Sequence, residues 1–289
     1  MILVVGATGN LGGMIARGLL ANGKEVRILV REGRNYEPLV SAGATPAIGD
    51  LKERETLDAA CRGVETVVTT ATAIIRQPPD TIETVDDVGY RNLISAAKAA
   101  GVRHFVFTSA LGSSLDSPVP LMRIKALNEQ RLRESGMTYT ILMPNLYIEV
   151  WGAIVVAAPL AQGKPVTLVG DASRRHSMLS MRDAASFAVA AIDNPAARNT
   201  TIVIGGPRPV SWTDVVAAAE GNVGRTIETR FVALGDPIEG LPPGVAGLFS
   251  AMETYDSPID MDQTARTFGV TPTPIEEGLR TILQVPVAG

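Results

Sequence analysis

Three glycines near the amino terminus have the spacing of a phosphate-binding turn. Gly6, Gly9 and Gly12 follow the apolar run at 2–5, and a helical pattern begins directly after them. The first glycine would allow a sharp turn, the second would leave room for a pyrophosphate, and the third would let a helix pack on the strand. The helix amino terminus would present N–H groups to the phosphates. The pattern predicts a nucleotide site, with a turn that holds no ligand as the alternative. The expected contacts in this segment are Gly6, Thr8, Gly9, Asn10, Leu11 and Gly12.

A charged pair after the second apolar run bears on which dinucleotide binds. Arg31 lies 19 residues after Gly12, at the expected tip of a strand, where an arginine favours the 2′-phosphate of NADP. Glu32 is the residue type that would bind the ribose of NAD. We therefore expect NADP(H) to be preferred, with NAD(H) as the alternative. Asp50 and Leu51 are placed to meet the adenine, although Asp50 could instead cap the helix expected from about residue 52.

The first half of the chain alternates strand and helix patterns. Uniformly apolar strands of this kind are buried on both faces, as in a parallel sheet covered by helices. The chain is therefore expected to be α/β, with a doubly wound parallel sheet of the Rossmann type. The predicted strands are 2–5, 25–30, 45–49, 65–71, 103–109 and 138–144, and the predicted helices are 11–22, 36–43, 53–61, 82–100 and 120–135.

The second half is less regular and predicts a smaller α+β lobe. We expect residues 1–150 to form the dinucleotide-binding domain and 151–289 the substrate lobe, some of whose strands extend the main sheet. Ser211 is placed to cap one helix, and Thr273 with Pro274 would open the last. The predicted strands are 165–170, 176–181, 200–206 and 226–234, and the predicted helices are 182–193, 211–220, a segment from Pro243 to about 255, and one from Pro274.

Composition argues against several classes of protein. The 289 residues carry a net charge of −4 without a dense basic run, so direct nucleic-acid binding is not expected. No apolar run approaches the ~20 residues of a spanning helix, and we expect no signal peptide before the first strand. With a single cysteine, Cys61, we expect a soluble cytoplasmic protein. Two histidines and one cysteine, far apart, do not supply a usual metal-ligand set.

Several segments together resemble the short-chain dehydrogenase/reductase superfamily, in its extended or atypical form and its NmrA-like branch. That branch includes NADPH-dependent quinone oxidoreductases, triphenylmethane-dye reductases and redox-sensing regulators. The resemblance covers essentially the whole chain and is most specific in the first 150 residues. The segments that carry it are GATGNLGG at 6–13, VR at 30–31, GDL at 49–51, FTSALGSS at 107–114, KALNE at 125–129 and TYTILMPNLYIE at 138–149.

The resemblance implies where the reactive end of the cofactor would lie. In such folds the nicotinamide crosses the carboxyl ends of strands four to six, so Ala71, Pro144 and Asn145 are expected to contact it. Lys125 would hold the nicotinamide ribose or act in the chemistry, and Ser109 occupies the position of the superfamily's serine. Tyr147 follows strand six and is a candidate replacement for a missing hydroxyl, with a place in the pocket wall or the core as the alternative.

The chain departs from the superfamily at the proton donor. Most members use a Tyr-x-x-x-Lys pair, but Leu121 stands four residues before Lys125, and no tyrosine in the chain has a lysine at that spacing. One interpretation is a reductase for quinone-like, azo or dye acceptors, which need no strong acid because they delocalise negative charge. Another is a non-catalytic NADP(H) sensor that regulates a partner protein. An isomerase, lyase or epimerase is least favoured, because its chemistry needs a base. We expect a small-molecule substrate, with a homodimer or a regulatory partner left open.

Overall fold

The computed structural model describes residues 1–74, 76 and 78–283. Its strands are β1 (Ile2–Val5), β2 (Val26–Val30), β3 (Thr45–Ile48), β4 (Thr66–Thr69), β5 (His104–Thr108), β6 (Thr138–Pro144), β7 (Val166–Val169), β8 (Thr200–Ile204) and β9 (Thr229–Val232). Its α-helices are α1 (Asn10–Ala21), α2 (Glu37–Ser41), α3 (Arg54–Cys61), α4 (Tyr90–Ala99), α5 (Pro120–Glu134), α6 (Ile148–Gly152), α7 (Ala158–Ala161), α8 (Met181–Asp193), α9 (Trp212–Val223), α10 (Pro243–Met252), α11 (Asp262–Phe268) and α12 (Ile275–Leu283). Two π-helical segments, Ile82–Gly89 and Ala153–Ala157, and a 3₁₀ turn at Pro195–Ala197 complete the secondary structure of the described residues.

Seven strands of the described chain form one sheet in the order β3-β2-β1-β4-β5-β6-β8. The first six are parallel, and β1 pairs with β2 on one side and with β4 on the other. Every residue of β1, β4 and β5 is buried, as expected for strands covered on both faces. This confirms the predicted doubly wound parallel sheet. The strand order reverses between β1 and β4, and in open α/β sheets ligands bind beyond the carboxyl ends of the strands at such a point.

The described chain divides into two compact units. The first comprises residues 1–144, 184–203 and 267–270, and the second comprises residues 145–183, 204–266 and 271–283. Where the sequence predicts one boundary near residue 150, the chain instead returns twice to the first unit, because β8 joins the main sheet and α8 leads into it. Residues 284–289 of the predicted substrate lobe lie outside the described part.

The second unit has its own small sheet and apolar core. Strands β7 and β9 pair in parallel, with Val166 opposite Thr229. Trp212 and Phe249 are almost completely buried and pack edge to face with their ring centroids 5.0 Å apart. Such pairs stabilise a core beyond the area that they bury.

The strand predicted at 176–181 is wrong. The structure shows isolated bridges there, from His176 to Val210 and Ser257 and from Leu179 to Tyr147. A continuous ladder does not form, because successive residues of this buried segment pair with different parts of the chain. His176 is buried, and both of its ring nitrogens have hydrogen-bond partners, namely the Ser257 hydroxyl and the Met252 carbonyl.

Helix boundaries in this part of the chain follow their capping residues. Ser211 and Asp214 form the reciprocal bonds of a capping box at the start of α9, and Gly224 ends that helix with φ of 68°. Glu276 and Glu277 lie in the first turn of α12, where carboxylates favour the helix dipole. The cap at Ser211 was predicted from the sequence and is confirmed, whereas the reciprocal bond of Asp214 and the end of the helix at Gly224 were not predicted.

The single helix predicted over 82–100 is divided. Thr81 and Thr84 cap a π-helical segment, Ile82–Gly89, which continues directly into α4. A Cβ on Gly89 would lie 2.9 Å from the Cβ of Leu51, so the end of the π segment packs very closely on its neighbour. π-helical turns within helices are frequent at functional sites.

The turn between β1 and α1 depends on close backbone packing. Gly6 has φ of +90°, a left-handed conformation that glycine adopts without steric cost. A Cβ on Gly12 would overlap the carbonyl oxygen of Gly6, whereas a Cβ on Gly9 would have only that oxygen nearby, at 3.3 Å. Gly12 therefore serves helix packing, whereas a Cβ at Gly9 would meet a single backbone atom at a tight but tolerable distance.

Replacing Gly12 and Gly9 separates these roles. Gly12→Ala should lower the free energy of unfolding by about 1–3 kcal/mol or more, because a methyl group must be accommodated against backbone. Gly9→Ala should change it by less than about 1 kcal/mol, since φ of −86° and ψ of 166° are ordinary for alanine. Urea unfolding of both variants measures the difference, and equal stability of the two would contradict the packing role of Gly12.

Candidate functional site

The glycine turn presents an uncapped helix terminus. Gly9 precedes α1 and offers no side chain to its first N–H groups, and the first turn of α1 carries no acidic residue. Within the turn, the Gly9 N–H donates to the Gly6 carbonyl at 3.0 Å. The remaining N–H groups at the start of α1 are therefore suited to hold an anion.

A cavity opens beside this turn. Its volume is about 250 Å³, and Gly9 lies on its wall. Three of the predicted contacts line it, while Gly6 and Gly12 shape the turn itself. The residues present fit a dinucleotide whose diphosphate lies over the turn. The lining residues are Ala7, Thr8, Gly9, Asn10, Gly13, Met14, Arg17, Asn35, Tyr36, Pro38 and Leu39.

Arg31 belongs to a cluster of charges that the sequence did not reveal. Its guanidinium contacts the buried Asp80 at 2.5 Å, and Lys52 and Arg76 contact the same carboxylate at 2.6 and 3.1 Å. Asp50 lies 3.9 Å from Arg31. Hydrogen bonding from Lys52 in particular lowers the pKa of Asp80 to about 2. Three cations thus face two carboxylates, and this positive excess suits a phosphate group.

Asp50 and Leu51 have structural contacts of their own. The Asp50 carboxylate accepts the Lys52 N–H at 2.9 Å, which closes a turn ahead of α3 rather than capping the helix. Leu51 is buried in the core of the first unit. Their contact with adenine stays a prediction.

The carboxyl end of β4 carries a bonded network. Ala71 follows this strand, and its carbonyl accepts a hydrogen bond from the buried Tyr90 hydroxyl at 2.6 Å. Two residues on, the Ala73 N–H donates to the carboxylate of Asp86 at 2.8 Å. Asp86 is 2% exposed and lies in the π-helical segment. The loop after β4 is therefore fixed to two polar side chains beneath it.

Lys125 lies at the end of the neighbouring strand. Its ammonium donates to the Thr108 carbonyl at 3.1 Å, at the carboxyl end of β5, and lies 5.3 Å from the centroid of the Phe107 ring. Burial lowers the pKa of Lys125, and the charges of Asp86 and Glu129 oppose that shift. The Thr108 hydroxyl is buried without a partner among the residues that the structure describes.

Ser109 is bonded to a carboxylate. Its hydroxyl donates to Glu129 at 2.5 Å, Ser113 donates to the same oxygen at 2.6 Å, and Arg133 binds the other carboxylate oxygen at 3.1 Å. The Ser109 proton is thus committed to Glu129, and its oxygen can accept but not readily donate. Pro144 ends β6, and its carbonyl accepts the Leu111 N–H.

The other two predicted site residues belong to the second unit. Asn145 is buried, and its amide donates to the Ser257 carbonyl and hydroxyl, both at 3.0 Å. The Tyr147 hydroxyl is buried and has no hydrogen-bond partner in the described part of the chain. Burial raises the pKa of Tyr147, so the phenol stays protonated and its O–H is uncommitted.

Comparison with protein families matches residues 1–277 to the NmrA-like family. The chain belongs to the NmrA-like family. An NAD(P)H azoreductase from Xenophilus azovorans is 33% identical over 234 residues, which cover 81% of this chain and 77% of that protein. The photosystem II assembly factor Ycf39 from Trieres chinensis is 31% identical over 239 residues, covering 81% and 72%.

Among solved structures, an NADPH-dependent quinone oxidoreductase from Escherichia coli in complex with NADPH has a TM-score of 0.81. The match covers 98% of this NmrA-like chain and 100% of that one at 23% identity, which establishes a shared fold. In the described part of this chain, no helix has both the length and the apolarity to cross a membrane. The described residues also form no group of three or more metal-ligating side chains.

Three acidic residues of this NmrA-like protein were missed by sequence reasoning. Asp80 lies in a loop, and two of its three partners, Arg31 and Lys52, are distant in sequence, so it carried no clear signal. Asp86 and Glu129 did carry one, because each stands on the apolar stripe of its helix, four residues before Tyr90 and three before Leu132, which are both buried. A carboxylate at such a position needs partners from other elements.

Replacing Arg31 tests the expectation that it binds the 2′-phosphate. Arg31→Ala should raise the Kd for NADPH about 10- to 100-fold, because a hydrogen bond to a charged group contributes about 1.5–3 kcal/mol. The Kd for NADH should change less than about threefold, since NADH lacks the phosphate. Fluorescence titration of both cofactors measures this.

The matched control is Arg103→Ala. Arg103 is exposed, pairs with Glu65 and precedes the amino end of β5, whereas the glycine turn follows the carboxyl end of β1. It should leave both affinities unchanged. Equal losses for NADPH and NADH in Arg31→Ala would mean that Arg31 does not distinguish the two.

Proposed function

We propose that this NmrA-like protein is an NADPH-dependent reductase that transfers hydride to a quinone-like or other conjugated small molecule without a tyrosine acid. The observation that carries the proposal is Lys125, a partly buried ammonium bonded at the carboxyl end of β5 with Leu121 in the usual tyrosine position. The similarity to an NAD(P)H azoreductase supports the same reaction class.

The first unit supplies the proposed cofactor contacts. The turn at Gly9 and the first N–H groups of α1 would bind the diphosphate, and Arg31 would bind the 2′-phosphate. Ala71 and Lys125 lie at the strand ends where the nicotinamide is expected, and Pro144 ends the next strand of the same sheet. The contact expected at Asn145, which belongs to the second unit, stays a prediction. When bound, the reduced nicotinamide supplies the hydride.

The side chains of this site favour an acceptor that needs no strong acid. Ser109 is engaged with Glu129, so its proton is not freely available. Lys125 can hold a proton at Nζ and stabilise negative charge that develops on an acceptor oxygen or nitrogen. A conjugated acceptor spreads that charge, so orientation and one nearby cation are sufficient. Tyr147 stays a candidate for a second donor, because its hydroxyl is uncommitted among the described residues.

The charge cluster at Asp80 supports NADP(H) over NAD(H). Its three cations give the site a positive excess that a 2′-phosphate would neutralise. NAD(H) lacks this phosphate, so the positive excess would be balanced only by solvent.

The proposal also includes a cytoplasmic setting. The single thiol, Cys61, is buried, and burial raises its pKa to about 11, which is consistent with that setting.

A second candidate function is a non-catalytic NADP(H) sensor that binds a partner protein. The missing tyrosine favours it, as does the similarity to an assembly factor that covers 81% of this chain. A sensor would bind NADP+ and NADPH with different affinities and retain a partner in only one of these states. A homodimer is the other assembly that stays a prediction.

Replacing Lys125 tests the proposed reductase. Lys125→Met should lower kcat for NADPH oxidation with a quinone about 10²- to 10⁴-fold, the range for a positioned acid. The Kd for NADPH should rise less than about tenfold, because the turn at Gly9 and Arg31 remain. Steady-state rates across quinone, azo-dye and enone acceptors, with a separate binding titration, measure both.

Lys98→Met is the matched control, since Lys98 is exposed in the last turn of α4. It should leave both quantities unchanged. A wild-type protein that binds NADPH but oxidises it no faster than buffer with every acceptor would contradict the reductase and favour the sensor.

A further inference from the structure

Asp86 is a buried carboxylate that the proposed reaction does not yet use. It is 2% exposed, and one of its oxygens accepts the Ala73 N–H at 2.8 Å. The Thr72 side chain is a further hydrogen-bond donor to it. From the other direction, the side chain of Asn128 on α5 donates to the Asp86 carbonyl at 2.6 Å. The residue is therefore fixed between the loop after β4 and the helix that carries Lys125.

The surroundings of Asp86 leave its charge incompletely balanced. No cation lies within 4 Å of it among the described residues, unlike Asp80, which contacts three. Asn128, which bonds to Asp86, lies three residues after Lys125 on α5, so one turn of this helix brings Lys125 next to the segment that carries Asp86. The charges that act on Asp86 are those of Lys125 and, more weakly, Arg76. The buried Tyr90 hydroxyl on α4 is the other titratable group that faces it. A buried carboxylate in this position depends on a nearby cation to remain ionised.

The ammonium of Lys125 likewise has few partners for its hydrogen bonds and its charge. An ammonium has three N–H donors, and in the described chain only the Thr108 carbonyl accepts one of them. Two carboxylates act on Lys125, namely Asp86 and Glu129. Glu129 is already bonded to Ser109, Ser113 and Arg133, so much of its charge is satisfied elsewhere. Asp86 is the carboxylate whose main compensating charge is Lys125.

We propose that Asp86 is a positioning residue that holds a proton on Lys125, so that an ammonium rather than a free amine lies at the carboxyl ends of β4 and β5. The loop after β4 fixes the carboxylate, and β5 fixes the ammonium through Thr108. The protonation state of Lys125 is therefore a property of two strand ends and the π-helical segment together. This inference rests on the proposed function only for the use to which the proton is put.

The sign of the coupling follows from the charges. Burial lowers the pKa of Lys125, and the Asp86 carboxylate opposes that shift. Removing the carboxylate must lower the pKa of Lys125 further. Reciprocally, removing the ammonium must raise the pKa of Asp86, which burial already raises.

The titration of Lys125 in the cofactor-free protein tests this inference. The sequence contains only five lysines, Lys24, Lys52, Lys98, Lys125 and Lys164, so their ¹³Cε signals can be resolved in lysine-labelled full-length protein. Lys125→Met identifies the relevant signal. Asp86→Asn should move its midpoint down by about 1 pH unit, the lower end of the effect of an opposite charge, because the two groups are not in direct contact.

Asp87→Asn is the matched control. Asp87 is the next residue of the same π-helical segment but pairs with Arg131 at 2.6 Å. This variant loses the same charge and should leave the Lys125 midpoint in place. If Asp86→Asn leaves the midpoint unchanged, or if Asp87→Asn moves it as far, the inference is overturned.

A second measurement tests the same coupling if Asp86→Asn does not fold. In aspartate-labelled protein, Lys125→Met should raise the titration midpoint of the Asp86 carboxyl signal, which Asp86→Glu identifies by its loss. An unchanged Asp86 midpoint would refute the coupling. Neither measurement requires turnover, so a protein that oxidises no NADPH would refute the proposed function and leave this result standing.

The pH profile then joins the two proposals. In an active protein, Asp86→Asn should move the alkaline limb of kcat to lower pH by the same interval as the Lys125 midpoint, with an unchanged Kd for NADPH. Asp86→Glu should restore part of the shift. A uniform fall in kcat at every pH would indicate a structural effect and contradict the role in Lys125 protonation.

Discussion

The steric constraint at Gly6 joins the parts of the first unit that matter for function. On one side, the absence of a Cβ on Gly12 lets α1 lie against the Gly6 carbonyl. On the other side, a Cβ on Gly6 would lie 2.8 Å from the Thr70 hydroxyl and 2.9 Å from the Ala71 nitrogen. The anion-binding turn and the end of β4 are therefore in backbone contact. From Ala71 the chain reaches Ala73, whose N–H donates to Asp86. The proposed diphosphate site and the proposed reactive site are therefore linked through main chain rather than through flexible side chains.

Charges at this edge of the sheet are held in three different ways, and the difference determines what each group can do. Asp80 is surrounded by cations, which stabilise its ionised form and leave positive charge over. Glu129 is satisfied by two hydroxyls and a guanidinium. Asp86 has N–H and hydroxyl donors but no cation in direct contact within the described chain. An isolated buried charge is costly, so Asp86 is the carboxylate among these three that depends most on a more distant cation, Lys125.

The sheet could be predicted from the sequence because its central strands are largely apolar and are followed by turn signals. The helix from Ser211 could be predicted because its cap is local. The partners of Arg31 and Ser109 could not, since Asp80 and Glu129 lie 49 and 20 residues away and meet them only after folding. The segment at 176–181 failed for a related reason. Its short apolar run resembles a strand, but His176 and Ser177 bond to other parts of the chain and no ladder forms.

The absence of a tyrosine before Lys125 changes what the lysine is for. In a Tyr-x-x-x-Lys site the tyrosine is the proton donor, and the lysine is its neighbour. Here Leu121 is buried at that position and offers no proton. The groups that act on Lys125 are instead carboxylates, which favour its own ammonium form. An ammonium is a weak acid but a strong local charge, so the arrangement suits an acceptor that becomes a stabilised anion before it is protonated. A simple ketone would require a proton as the hydride arrives, whereas a conjugated acceptor would not.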